Sequence, residues 1–453
     1  MLVLWVNDTV YGQLSKVHYI PPISISEEQS NNEPLEQWIY ISTPNNSSVQ
    51  YVITPLGGGA EIIGLVSNNV PAKHTTKTSS DNYDTQLVVP NVDTGFVLAN
   101  KGYIIESDEP IYVSLRLASS AQAGALVSKG VDALGQEFLL GSFSNITTLN
   151  NGLANFFSVL ATENNTVVKV EFPNTVTLEN YSGSYPITIN LNKNESYVGL
   201  LDVSAAIGNQ DGLLGAKITS DKPIAVNTGS ASGTNGNGGS RDFGIDQIVD
   251  TRFAGNEYIF IRGVGEDSWE NVMIVPTQPN TSIEINGSLS IPISGAYYEI
   301  DGNMYNVDGN MFVRSDKPVV AYQGIGGDAR SEANQGMFYV PPLSCSSRGN
   351  VDNIPLINEI GTTSLNGSPW RGAIGIVAKT GADVLVNDAI LTSGTVVDAN
   401  RNYTTYLINN LQDQTYSIKS NDELYVSYYN YSCLLYTSPS PRDRQKSRMP
   451  GWA

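Results

Sequence analysis

Ser220-Asp221-Lys222-Pro223 returns unchanged as Ser315-Asp316-Lys317-Pro318, with a close variant at Ser107-Asp108-Glu109-Pro110 and a degraded one at Ser420-Asn421-Asp422-Glu423. The phrases begin 113, 95 and 105 residues apart. Such a period implies one structural unit repeated four times. Apolar runs flank each of the first three phrases. Ile111, Val113 and Leu115 alternate as a half-buried strand requires. Asp favours a turn by bonding its own backbone. Proline lacks a donor, suits the first residue of a strand and pushes its predecessor towards extended geometry. The phrase therefore reads as strand, tight turn, strand.

The 453 residues are 40% apolar and only 15% charged, rich in Gly and Tyr and without sustained helical periodicity. That predicts an all-β protein: four tandem antiparallel β units of roughly a hundred residues, sandwich-like, with a β-propeller as the alternative. About seven strands fit each unit. The boundaries read as 14–134, 135–250, 251–351 and 352–432, the last truncated. Residues 1–13 carry the apolar scrap Leu2-Val3-Leu4-Trp5-Val6, the broken end of a signal peptide or a plain first strand. From Cys433 the chain turns basic and proline-rich, and residues 433–453 resemble translated sequencing-adapter read-through. The alternative is a basic interaction tail. The first reading implies that the natural chain continues past Tyr431.

A net charge of −19 argues against nucleic-acid partners and anionic membrane surfaces. No apolar run is long enough to mark a membrane span. Two cysteines, Cys345 and Cys433, make no disulfide framework or zinc spacing.

Little in the chain carries reaction chemistry. His18 and His74 are the two histidines, and no Gly-x-Ser-x-Gly elbow accompanies them. His18 reads as a packed strand residue and His74 as exposed. The glycine-rich stretch 233–241 lacks the Lys-Ser/Thr ending of a phosphate loop. Asp301-Gly302 and Asp308-Gly309 offer oxygen ligands and sharp turns that calcium could use, but Asp-Gly is equally a hairpin turn. No catalytic residue and no cofactor are assigned, calcium at Asp301 and Asp308 being the one candidate. After each phrase comes a loop rich in small residues, at 118–130, 228–243 and 324–336. These loops carry Lys129, Arg241 and Arg330, candidate binding residues on one face of the array.

Phe338-Tyr339-Val340-Pro341-Pro342-Leu343-Ser344-Cys345, Asp352-Asn353-Ile354-Pro355-Leu356, Gly244-Ile245-Asp246-Gln247-Ile248-Val249 and the Ser-Asp-Lys-Pro phrases together resemble the IgGFc-binding-protein N-terminal region. The form in large surface and secreted proteins of gliding bacteria is similar. The resemblance spans about residues 14–432 and implies a longer chain ending in a sorting or gliding-motility-associated domain. The resulting expectation is a non-enzymatic extracellular or cell-surface binding and adhesion module, taking a protein or glycan ligand. A structural spacer is the runner-up, and a polysaccharide-acting enzyme the weakest alternative.

Overall fold

Each of the three intact phrases lies inside one long strand. The computed structural model describes residues 13–432 except 26–33, 35, 78–84, 120–121, 146–151, 203–209, 236–240, 327–334, 344–348, 363, 366–367 and 412–413. Arg330, both cysteines, the first twelve residues and residues 433–453 fall outside it. The described residues form an all-β, sandwich-like structure with no α-helix.

Twenty-eight strands carry the argument. The first seven are β1 (Ser15–Ile20), β2 (Glu36–Ser42), β3 (Val49–Pro55), β4 (Ile62–Val66), β5 (Ala72–Thr75), β6 (Tyr103–Ala118) and β7 (Ala123–Val127). Next come β8 (Gly135–Leu139), β9 (Ala154–Ala161), β10 (Thr166–Glu171), β11 (Ile187–Leu191), β12 (Ser196–Leu200), β13 (Lys217–Gly233) and β14 (Asp242–Ile248). Then follow β15 (Gly255–Ile261), β16 (Val272–Pro276), β17 (Ser282–Ile285), β18 (Leu289–Pro292), β19 (Tyr298–Ile300), β20 (Asn310–Ile325) and β21 (Gly336–Val340). The last are β22 (Val351–Ile354), β23 (Ser368–Lys379), β24 (Val384–Val386), β25 (Ala389–Ile390), β26 (Tyr403–Leu411), β27 (Tyr416–Ser420) and β28 (Leu424–Ser432).

One antiparallel pairing scheme recurs around β6, β13 and β20. The first half of each long strand pairs with β1, β8 or β15 on one side and with the hairpins β3–β4, β10–β11 or β17–β18 on the other. The second half pairs with β2, β9 or β16, which in turn hold β5, β12 or β19. Its other edge takes β7, β14 or β21. A long strand thus belongs to both layers of its sandwich and crosses between them at the phrase. The fourth set repeats the scheme with its long strand split into β27 and β28.

The phrase is therefore not the tight turn the sequence suggests. It is a bulged corner within a continuous strand. The register slips there: Gly135 faces Ile224 while Glu137 faces Thr219, and Gly255 faces Val319 while Glu257 faces Arg314. A bulge bends and twists a strand without ending it. Every residue of the phrase has a task in holding the bend. Ser220 Oγ donates to the Lys222 carbonyl at 2.6 Å. Asp221 and Asp316 accept the backbone N–H of Val167 (2.7 Å) and Ser282 (2.8 Å), the entries to the neighbouring hairpins. Lys317 Nζ caps the carbonyls of Pro279 (2.6 Å) and Asn280 (2.8 Å), and Lys222 does the same for Asn164 and Asn165. The proline carbonyls at 110, 223 and 318 each accept a threonine hydroxyl, from Thr43, Thr162 and Thr277. The repeated phrase is thus explained by backbone satisfaction.

Strands that do not alternate in sequence are buried on both faces. Every residue of Ala154-Asn155-Phe156-Phe157-Ser158-Val159-Leu160-Ala161 is buried. Phe157 and Val159 join the core of the second set, whereas Ala154 and Phe156 join that of the first. Each such side chain is worth about 1.5–3 kcal/mol. Met273, Val275, Val320 and Tyr322 likewise enter the second core from the third set. Ile259 and Phe312 of the third set pack on Val377 and Tyr403 of the fourth.

The fourth set also returns to the first. Arg116 is fully buried, and its guanidinium donates to the carbonyls of Pro355 (2.6 Å), Leu356 (2.6 Å) and Glu359 (2.9 Å). It also stacks 4.1 Å from the ring centre of Tyr40. Ser42 and Tyr112 hydroxyls donate to the Asn353 and Val351 carbonyls, each at 2.7 Å. Contacts run from first set to second, third and fourth and back to the first, so the sets form a closed circuit instead of an open array.

Candidate functional site

The strands that follow the long ones meet at the centre of this circuit. Of the stretches read from sequence as loops, 118–130, 228–243 and 324–336, the described residues include the end of β6 and all of β7, the end of β13 and start of β14, and the end of β20 and start of β21. Strand β14 lies between β7 and β21 and ties them together with two carboxylates. Asp242 accepts the N–H of Ala123 and of Gln335, both at 2.8 Å. Asp246 accepts those of Val127 (3.4 Å) and Tyr339 (2.9 Å). Gly124 permits the close approach, since a Cβ there would stand 2.4 Å from the Cβ of Phe243. The four-residue spacing puts both aspartates on one face of the strand. In sequence that spacing was visible but had no partner to give it meaning.

Lys129 belongs to this buried network and not to an exposed loop face. It is 7% exposed, and its ammonium sits 3.0 Å from both Asp246 oxygens. Burial pushes Asp246 above the ordinary carboxylate range, and the Lys129 charge opposes that shift. Arg241 is half-buried at the entry to β14, and burial lowers its basicity. Arg330 lies outside the described residues. Of the three basic residues, Lys129 is thus buried and Arg241 half-buried.

The calcium candidates are turn residues. Asp301 caps a short 3₁₀ turn, accepting the N–H of Asn303 at 2.9 Å. At the second Asp-Gly it is Asn306 that shapes the turn, accepting from the N–H groups of Asp308 and Asn310 at 3.0 Å. No cluster of three or more metal-ligating side chains occurs among the described residues.

His18 is packed, as its sequence context suggested. It is fully buried, with Nδ1 3.0 Å from Ser128 Oγ and Nε2 3.0 Å from the Ile111 carbonyl. Burial pushes its pKa down to about 4. His74 is half-buried, where the sequence suggested exposure. Its Nε2 lies 2.6 Å from the Tyr51 hydroxyl. The two histidines serve separate structural contacts.

Sequence reading missed the cavity that opens beside the central strands. All four sets line it, and the space measures about 1110 Å³ including the part open to solvent. Residues of β7, β21 and β28 form much of its lining. Asp352 borders it, pushed by burial up to about 7. Elsewhere, Ile63 and Leu65 are 65% and 61% exposed on the outer face of β4, an apolar strip written in sequence as Ile62-Ile63-Gly64-Leu65-Val66. No helix among the described residues is long and apolar enough to cross a membrane.

No curated protein matches the chain. Among solved structures, it is similar to one titled "Biofilm associated protein - BSP domain", at 9% identity, 94% coverage of this chain, 97% of that one and a TM-score of 0.16. The family model described as IgGFc binding protein matches residues 123–430, from β7 almost to the end of β28. With well over half of its length inside that match, the chain belongs to the IgGFc binding protein family.

Proposed function

We propose that this chain is a non-catalytic binding module of a cell-surface or secreted protein, built from four tandem β units near 14–134, 135–250, 251–351 and 352–432. Family membership over residues 123–430 is the observation that carries this reading. The buried charges support it. Asp242, Asp246, Lys129 and Arg116 are each engaged by named backbone or side-chain partners, which is how buried charges behave when their task is structural. The ligand is an extracellular protein or glycan. The closed circuit of strand sets speaks against a spacer, because a ring adds little reach per residue.

The test is binding of the 453-residue chain to an array of extracellular proteins and glycans that includes immunoglobulin Fc, the ligand in the family's name. Saturable capture of at least one ligand is expected, and silence across the array would defeat the proposal. The double variant Ile63→Glu, Leu65→Glu locates the contact. The strip lies outside residues 123–430, so capture should be unchanged, and its loss would move the ligand site to β4.

A further inference from the structure

One outer strand of the molecule is dressed differently from its counterparts. Strands β4, β11 and β18 each end a sheet, pairing with β3, β10 or β17 and, among the described residues, with no strand beyond. The registers make Ile63, Thr188 and Ser290 equivalent. Each faces the hairpin residue (Val52, Lys169 or Glu284) that pairs with the residue just before the corner phrase, Glu106, Thr219 or Arg314. Two residues on, Leu65 matches Asn190 and Pro292. The second and third sets therefore show a hydroxyl, an amide or proline, and a charge on this outer face. Such residues keep a sheet edge from recruiting another strand. The first set shows Ile63, Leu65 and Val52 at the same places, with Ile63 65% and Leu65 61% exposed. In the fourth set Ile390 stands where Ile63 does. There β25 is only two residues long and lies beside the Asp388–Lys419 ion pair, and a very short edge strand is itself protected. The fold thus does not demand an apolar outer edge, and β4 has one without the usual protection.

The strip is symmetric about Gly64. Laid antiparallel on a second copy of itself, with Gly64 on Gly64, β4 sets Ile63 opposite Leu65 of the second copy and Leu65 opposite its Ile63. All four side chains then share one face. That is the self-complementarity a two-fold contact requires. Charge agrees with it. The chain carries −19, so two copies repel unless they meet over a neutral patch. Residues 49–66 hold one charged residue, Glu61, and the same register places it opposite Ser67 of the second copy. Glu106, across Val52 on β6, lies two strands in from the edge. Along β4 no acid meets an acid.

We infer that β4 is a two-fold dimerisation edge, at which two copies of this chain join their first strand sets into one continuous sheet. The inference stands apart from the ligand reading above. A contact between two five-residue strands is small and therefore weak, with a Kd of roughly 10–100 µM.

The experiment is sedimentation of the 453-residue chain from about 1 to 300 µM, a span that brackets such weak association. The mass should rise from one chain to two. Leu65→Lys, a charge at an exposed site, should weaken association about tenfold or more. Asn190→Lys, at the matching place on β11, should leave it unchanged. Register is read with cysteines in a Cys345→Ser, Cys433→Ser background. Ile63→Cys and Leu65→Cys chains, mixed and mildly oxidised, should cross-link to each other, because directly opposed residues stand about 4.5–5.5 Å apart. Neither should cross-link to itself, since the diagonal is about 7–8 Å. A one-chain mass at the highest concentration would overturn the inference. So would a dimer that survives Leu65→Lys, one equally weakened by Asn190→Lys, or self-cross-linking as ready as the mixed reaction. Masses climbing past two chains would mean a head-to-tail contact and would overturn the two-fold.

Discussion

The third and fourth strand sets turn the same corner with different residues. At Ser315-Asp316-Lys317-Pro318 the strand is continuous, with the lysine capping a hairpin turn and Asp316 receiving the hairpin's first N–H. At Ser420-Asn421-Asp422-Glu423 the strand breaks into β27 and β28. Asn421 still receives the N–H of Asp383 at 2.9 Å, so the second residue keeps its task. Glu423, where proline would stand, pairs instead with Lys379 at 3.2 Å. An acceptor at the second position defines the corner, and the lysine and proline make it seamless.

The first and third sets differ one step beneath the corner. His18 and Tyr258 occupy matching places opposite Ile105 and Val313. Each bonds the carbonyl of the residue just after the phrase's proline, Ile111 or Val319. The second set has Phe138 at that place. A histidine there is one of three solutions to a packing problem and implies no catalysis.

The strongest break of this comparison is Ile224→Asp, just past the second corner. Ile224 is fully buried, so an unpaired carboxylate there should cost more than about 4 kcal/mol. An unaltered melting temperature would mean that the position is not core. Arg116→Met should cost about 3 kcal/mol or more by stranding three carbonyls. Proteolysis should then release the fourth set first, because Arg116 ties it to the first.

pH separates His18 from Tyr258. The folded pKa of His18 is depressed to about 4, below the unfolded value, so the unfolded chain takes up the proton first. Stability should therefore fall as pH drops from about 6.5 to 4, by up to roughly 3 kcal/mol. His18→Phe, borrowing the residue of the second set, should flatten that part of the profile in denaturant titrations at each pH. An unchanged slope would place the acid sensitivity elsewhere. The smallest effect is expected from Lys317→Ala, about 1 kcal/mol or less, since the cap is exposed. A larger loss would show that the lysine holds the bend itself.

Much of the fold is legible in the chain because corner chemistry is local. The four phrases, the alternation of strands such as Thr166-Val167-Val168-Lys169-Val170-Glu171 and the Asn165 turn declare a repeated β framework, and the pattern of burial follows it. The candidate site was far less legible. Lys129 looked like a loop cation because its partner, Asp246, stands 117 residues away. Asp242 and Asp246 looked like two among many acids, since the amides they receive belong to Ala123, Gln335 and their neighbours.

Sequence alone determined the all-β class and the spacing of the corners, since these rest on residue periodicity and on bonds between adjacent segments. Tertiary structure alone decided that the fourth set closes onto the first and that the strands after each corner face inward. Those outcomes depend on backbone carbonyls and strand edges, such as the carbonyls of Pro355, Leu356 and Glu359 that Arg116 finds some 240 residues away. Every residue carries such groups, so no side-chain pattern announces which of them will meet.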